Sequence, residues 1–472
     1  ESKNGHEIEL YWTQSRLGQN PYQSPSVFNF YLPEYMPMGP VADRLLVAPE
    51  AELATAPYII QALNGMFSLI NNGLTSCKSG FGTTKAKRSC GCSSAADCKR
   101  RQTASGELTF APDSTDAAGA VSELDMLLTG GRLNARSREI IEREYNDALT
   151  LEQSDLQGAS GLPIDGVRRA MQLIIGAAEF HSTQANVLKS QERPPPTVVP
   201  SQDRPYKATV VIYLKGGADT FNLLVPHSDC TGKDMNDEYQ TVRAELAMSK
   251  NQLLQIDVPA GTQPCDKFGL HPDLDYLEEL YEDGDGSFIS NIGNLIEPIT
   301  VAEYKAKTKQ IPLGLFAHNT QVEHSQSVHP QAGDAKGVLG RMVGALTSQT
   351  DPYKTKSYSI TGSMKIVEGP NPAEIISAKS GAVRLQAFDT QANGRLGAPL
   401  LNMSSIESST IFSETWSGLL ESSLENTESL GADLDAATVT ETFDEESNLC
   451  NMLKQVAKII SLSQGADSPL DS

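Results

Sequence analysis

A proline-rich stretch divides this chain and constrains its fold more than any other feature. It contains the run Pro194–Pro196 and then Pro200. Proline fixes φ and lacks a backbone N–H donor, so neither a helix nor a central strand continues through such a run. The length of 472 residues also exceeds what one hydrophobic core usually organises. We therefore expect two domains, at 1–185 and 207–472, joined by a stiff linker at 186–206.

The chain is strongly acidic, with 59 Asp and Glu residues against 38 Lys and Arg residues and a net charge of −21. A surface of this charge repels phosphate backbones and anionic lipids, so we expect no nucleic-acid partner. The basic run from Lys85 to Arg101 lies in a stretch rich in Ser, Gly and Cys, which favours a solvated loop over a nucleic-acid patch. No run of about 18 apolar residues occurs, which predicts that the chain has no membrane span.

Four of the seven cysteines lie close together in the sequence, at Cys77, Cys90, Cys92 and Cys98. Zinc sites favour paired CxxC motifs, whereas this stretch has a CxC, a lone cysteine and no histidine. We therefore favour disulfide bonds over zinc, in an insertion at about 76–120. Disulfides form in oxidising compartments, so we expect a secreted or otherwise extracytoplasmic protein. The odd total leaves at least one of the other three cysteines without a partner in this chain.

Residues 1–185 are predicted to be mainly helical, with long irregular segments. Prolines are dense between Pro25 and Pro49, which favours extended, irregular chain. The Ala51–Leu69 stretch that follows has helical apolar spacing. Apolar residues also recur at intervals of three and four from Val167 to Ile175, which is the pattern of a helix with one buried face.

Residues 207–472 are predicted to form an α/β domain with a mostly parallel sheet. Thr209–Leu214 and Ser287–Gly293 are short apolar runs. A continuous apolar run without alternation is typical of a strand that is buried on both faces. The His271–Tyr281 stretch between them has the leucine spacing of an amphipathic helix. The order strand, helix, strand indicates a βαβ unit.

The first part of the chain resembles the C-terminal end of the family called domain of unknown function 1800. The resemblance rests on four separated motifs in the family's order, namely Ser24–Phe30, Leu46–Glu50, Leu127–Leu133 and the helix from Val167 to Phe180. The cysteine-rich stretch looks like an insertion between them. The resemblance therefore covers most of residues 1–185.

The second part of the chain resembles the N-terminal part of the family called domain of unknown function 1501. That family is similar to the alkaline phosphatase and sulfatase superfamily, whose members hold divalent metals with Asp and His. It commonly has an Asp two residues after His318, where this chain has Thr320, and its later Asp-Thr-His and Asp-His-Gly motifs have no counterpart here. The motifs that match are Leu214–Asp219, Phe268–Pro272, Asn291–Gly293, Leu315–Asn319 and Gly337–Arg341.

The candidate site lies after the first predicted strand. Asp219 follows the carboxyl end of that strand, where α/β sheets place ligands, and the resemblance implies that it is the first metal ligand. Asp219 and His318 are the candidate ligands of a divalent metal (Zn²⁺, Mg²⁺ or Ca²⁺), and Thr220 is the candidate nucleophile. The alternatives are an Asp that caps a turn and a solvated loop that carries His318, His324 and His329.

Two functions follow from these features. The first is an extracytoplasmic protein with an incomplete, non-catalytic module of phosphatase or sulfatase type, in contact with the missing remainder of each domain. The second is part of a secreted metal-dependent hydrolase of phosphate or sulfate esters, whose other site residues lie beyond Ser472. Thr320 and the missing motifs favour the first.

Overall fold

The structure is a computed structural model. The residues that it describes form two compact units. The larger unit contains those up to Val210 and those from Ile296 onward, and the smaller unit runs from Val211 to Leu295. The predicted domain limits at 185 and 207 concern family membership and stay a prediction. The described residues are 8–10, 12–24, 29–31, 33, 35–37, 39–74, 79–84, 110–114, 116–155, 164–194, 204–214, 216–332, 335–370, 373–379, 381–386, 388 and 396–462.

Helices outweigh strands in these residues. None of the described helices is both long and apolar enough to cross a membrane. The helices are α1 (Thr13–Leu17), α2 (Ala56–Asn72), α3 (Ala117–Thr129), α4 (Ala135–Asp155), α5 (Ile164–Gly176), α6 (Ala178–His181), α7 (Met235–Arg243), α8 (Asp275–Glu282), α9 (Val301–Ala306), α10 (His318–Ser327), α11 (Val338–Thr347), α12 (Gly397–Ser404), α13 (Ile411–Ala436) and α14 (Asn448–Leu462). The strands are β1 (Ile8–Glu9), β2 (Thr83–Thr84), β3 (Leu188–Glu192), β4 (Leu224–Cys230), β5 (Leu254–Asp257), β6 (Cys265–Leu270), β7 (Tyr358–Ser359), β8 (Glu374–Ile375) and β9 (Ile406–Ser408).

The main core of the larger unit is helical. It joins α2, α3, α4 and α5 from the first part of the chain with α12 and α13 from the last. The apolar spacing from Val167 to Ile175 corresponds to α5, whose periodic face is buried in this core. The fully buried side chains of this helical core include Ile60, Leu63, Leu124, Ile141, Tyr145, Leu173, Ile174 and Leu400.

Polar contacts also join the first and last parts of the larger unit. The Asn64 side chain on α2 donates to the Arg384 carbonyl at 3.0 Å and accepts from the Gln386 N–H at 2.9 Å. Arg193, just after β3, pairs with Glu414 at 2.9 Å and with Glu421, both on α13. Strand β3 lies inside the range predicted as linker and pairs with β9 in antiparallel fashion. These contacts fix that part of the range onto α13.

The smaller unit is built around one antiparallel sheet of three strands in the order β4-β6-β5. Helix α7 packs on it, and Val225, Tyr239 and Leu253 form a small core. The Tyr239 hydroxyl donates to Asn222 at 2.7 Å and accepts from the Met248 N–H at 2.8 Å. Because the hydroxyl of this buried tyrosine both donates and accepts a hydrogen bond, it holds the loops at this end of the sheet in place.

A disulfide bond closes the smaller unit. Cys230 and Cys265 are directly opposite each other on β4 and β6 and are joined by an S–S bond. Cys450 on α14 is free. The bond ties the edge strand β4 to the central strand β6. The predicted disulfides of the insertion fall on residues outside the described ranges, namely Cys77, Cys90, Cys92 and Cys98.

The predicted α/β fold with a mostly parallel sheet is wrong. The sheets of the described residues have two or three strands, and only the two-residue pair β7–β8 is parallel. Neither Thr209–Leu214 nor Ser287–Gly293 forms a strand, and Ile212 is 56% and Ile289 80% exposed. A strand has no internal hydrogen bonds, so an apolar run becomes one only where neighbouring strands pair with it. No such partner pairs with either run among the described residues.

Candidate functional site

Asp219 is an exposed residue of the smaller unit, at the start of the short 3-10 turn Thr220–Asn222. Its side chain does not cap that turn, so the capping alternative does not apply. The carboxylate instead forms an ion pair with the guanidinium of Arg243, the last residue of α7. Arg243 also lies over the Phe221 ring, 5.5 Å from its centroid. The charge of Asp219 is therefore neutralised by a side chain of its own unit.

Thr220, the candidate nucleophile, lies on the surface of the smaller unit. It is exposed, and its backbone N–H donates to the Ala218 carbonyl at 3.1 Å. Its hydroxyl forms no hydrogen bond with another described residue. A threonine hydroxyl needs an adjacent base or a metal ion to become nucleophilic at neutral pH. Among the described residues of the smaller unit, no three His, Cys, Asp or Glu side chains lie close enough to hold a metal ion beside Thr220.

His318 belongs to the larger unit and is the first residue of α10, where it is exposed. The loop predicted for the three histidines is wrong in part, because His318 and His324 both lie on this helix. His324 is only 4% exposed, and burial lowers the pKa of its ring. His329 follows the helix, with Nδ1 3.3 Å from the Gln331 side-chain nitrogen. Two of the histidines are thus fixed by the helix, and only His329 retains a loop position.

The assignment of Asp219 and His318 as metal ligands stays a prediction. Asp219 and His318 belong to different units, so neither unit contains the predicted pair. Nowhere in the described ranges do three His, Cys, Asp or Glu side chains lie close enough to hold one ion. One oxygen of the Asp219 carboxylate has Arg243 as its partner in this structure.

A buried pair of acidic residues forms a polar cluster in the larger unit, and sequence reasoning did not single it out as a site. Asp125 on α3 is 1% exposed and Glu179 on α6 is 0% exposed. Both accept hydrogen bonds from the loop Gly130–Asn134, which links α3 to α4. We call these two residues and this loop the carboxylate clamp. Acidic side chains are almost never fully buried unless they have partners.

Asp125 holds the first half of the clamp. It accepts from the Leu133 N–H at 3.1 Å and from the Thr129 hydroxyl, and it pairs with Arg138 on α4. The loop can turn here because Gly130 and Gly131 adopt φ values of 70° and 75°, which favour glycine.

Glu179 holds the second half. Its Oε1 accepts from the Asn134 N–H at 3.1 Å, from the Asn134 side-chain amide at 2.5 Å and from the Asn186 side-chain amide at 3.2 Å. Arg132 donates to the carbonyls of Glu179 at 2.9 Å and of Ser182 at 3.3 Å. The clamp thus fixes the α3–α4 loop to α6. The Thr-Gly-Gly-Arg sequence indicates the turn of this loop, but it does not indicate which residues the turn contacts.

No family model, no curated protein and no solved structure matches this chain. The resemblance to the two families of unknown function therefore stays a prediction. What can be proposed about function rests on the residues described above.

Proposed function

We propose that this chain is a non-catalytic extracytoplasmic module. The observation that carries the proposal is the ion pair between Asp219 and Arg243. A guanidinium beside a carboxylate supplies the positive charge that a divalent metal would otherwise supply. The exposure of Thr220 to solvent supports the same conclusion, since an activated nucleophile is usually held in a shielded site. A module of this kind acts by contact with other molecules rather than by turnover.

The proposed compartment is supported by the disulfide between Cys230 and Cys265. Structural disulfides persist in oxidising surroundings and are rare where glutathione keeps thiols reduced. We expect a non-reduced digest of the protein, taken from the cells that make it and alkylated at lysis, to yield the Cys230 and Cys265 peptides as one linked species by mass spectrometry. Recovery of both cysteines in alkylated form would argue against an extracytoplasmic location.

The non-catalytic assignment predicts no turnover. The purified chain, assayed with aryl phosphate and aryl sulfate monoesters in the presence of Zn²⁺, Mg²⁺ or Ca²⁺, is expected to release no more product than a heat-unfolded sample. Asp219→Ala is expected to behave identically, because the Asp219 carboxylate serves the ion pair with Arg243.

The control for this assay is Asp257→Ala. Asp257 is another exposed aspartate of the smaller unit, and it accepts from the Gln255 side chain at 3.1 Å. Turnover that Asp219→Ala abolishes and Asp257→Ala preserves would overturn the proposal. Such a result would favour the metal-dependent hydrolase instead.

A further inference from the structure

A small cavity lies next to Glu179 in the larger unit. Its volume is about 10 Å³, close to the smallest that holds one water molecule. Its walls come from α4, from the joint between α5 and α6, and from α12 and α13. Leu400 and Leu420 contribute apolar surface, whereas Ser137, Asn186 and Ser417 contribute polar groups beside Glu179.

Two buried acceptor atoms on residues that line this cavity have no partner among the described residues. Glu179 Oε1 accepts three hydrogen bonds, but Glu179 Oε2 accepts none from the described residues. Asn186 Oδ1 is likewise buried without a donor in the described structure. The orientation of the Asn186 amide is fixed, because its nitrogen donates to Glu179 Oε1 and a reversed amide would place two acceptors together. An unsatisfied buried acceptor costs about 1–3 kcal/mol, so both atoms require a donor.

We propose that this cavity binds one water molecule, which donates one hydrogen bond to Glu179 Oε2 and one to Asn186 Oδ1. Water has two donors for the two acceptors and matches the volume of the cavity. Buried waters typically form about three hydrogen bonds to protein groups, and Ser137 and Ser417 also line this cavity. The bound water completes the carboxylate clamp.

The surroundings favour water over a metal ion. A hard cation such as Ca²⁺ takes about six to eight oxygen ligands, whereas one carboxylate and one amide provide the unsatisfied oxygens here. Arg132 adds a positive charge nearby, because its guanidinium donates to the Glu179 carbonyl at 2.9 Å. A second cation beside it would be repelled.

A high-resolution crystal structure of the whole chain tests the proposal. We expect one density peak at about 2.6–3.2 Å from both Glu179 Oε2 and Asn186 Oδ1, the range of hydrogen bonds. An empty cavity would overturn the proposal. So would a peak with five or more oxygens at about 2.0–2.6 Å, the range of metal coordination.

Glu179→Gln provides the matched variant. The glutamine oxygen replaces Oε1 and its amide nitrogen replaces Oε2, so a bound water can rotate and accept from it. The peak is therefore expected to remain in the crystal structure of the variant, and a peak that disappears with the carboxylate charge would count against water.

A measurement in solution accompanies the crystals. The melting temperature of the native chain is expected to stay unchanged when choline is replaced by Na⁺, K⁺ or Ca²⁺ at constant ionic strength. A rise with one of these ions that Glu179→Gln eliminates would show that the cavity binds that ion instead.

Discussion

Removal of the Cys230–Cys265 disulfide is expected to destabilise the smaller unit by about 2–4 kcal/mol, the usual effect of a disulfide that closes a loop of this size. The two cysteines are separated by 35 positions, so the bond removes many conformations from the unfolded chain. The unit has only a small core of Val225, Tyr239 and Leu253 to compensate for the loss. In the variant with both cysteines replaced by serine, we expect amide hydrogen exchange of β4 and β6 to accelerate by at least tenfold, since 1.4 kcal/mol corresponds to a factor of ten.

The tryptophans make this experiment specific to one unit. Trp12 and Trp416 are the only two in the chain, and both belong to the larger unit. The urea midpoint measured by tryptophan emission is therefore expected to stay unchanged while β4 and β6 lose protection. Cys450→Ser is the control, because Cys450 is free and its replacement leaves the disulfide intact. Unchanged exchange in β4 and β6 after removal of the disulfide would contradict the prediction.

Asp125→Ala is expected to destabilise the larger unit by about 1–3 kcal/mol, because it leaves the buried Leu133 N–H without an acceptor. The Leu133 N–H and the Thr129 hydroxyl both donate to this carboxylate. The Thr129 hydroxyl keeps a second acceptor in the variant, because it also donates to the backbone carbonyl of residue 125 at 3.0 Å. Arg138, the third partner, has a side chain that is 32% exposed and can turn to solvent, so the ion pair contributes the smaller share. The effect is measured as a lower urea midpoint of tryptophan emission, since both tryptophans belong to the larger unit and Trp416 packs on His181 at the end of α6.

Two further variants test whether the missing hydrogen bonds of Asp125 cause this loss of stability. Asp125→Asn keeps one side-chain oxygen for the Leu133 N–H and is expected to lose less than Asp125→Ala. Glu139→Ala removes an exposed acid from α4 and is expected to change stability by less than about 0.5 kcal/mol. Equal effects of Asp125→Ala and Glu139→Ala would mean that the clamp does not stabilise the larger unit.

A helix could be predicted where the apolar pattern that stabilises it lies within a single segment of the sequence. The apolar residues from Val167 to Ile175 recur with the period of an α-helix, and a helix satisfies its hydrogen bonds within one segment. The structure places α5 there. Thr209–Leu214 has equally clear β-branched, apolar character, but a strand depends on other strands that the run itself does not specify. This difference explains why α5 was predicted and the parallel sheet was wrong.

The candidate site could be predicted less well, because residues that are far apart in the sequence contact one another there. Asp219 was identified as a carboxylate after a strand, yet its partner Arg243 lies 24 positions later and no spacing rule connects the two. No sequence motif marks Glu179 as a site residue, and only the structure shows that it is fully buried. Sequence pattern identifies the chemical group, whereas its neutralisation or burial is decided by the tertiary structure.

The pairing of α2 with the end of the chain has a consequence for synthesis on the ribosome. Asn64 contacts Arg384, which is added 320 residues later. At roughly 5–20 residues per second, this delay lasts about 15–60 s. During that time the apolar face of α2, with Ile59, Ile60 and Leu63, has left the ribosome without α13 to cover it. Until α13 is made, only the earlier partners of α2, such as α5, can cover this face in the nascent chain.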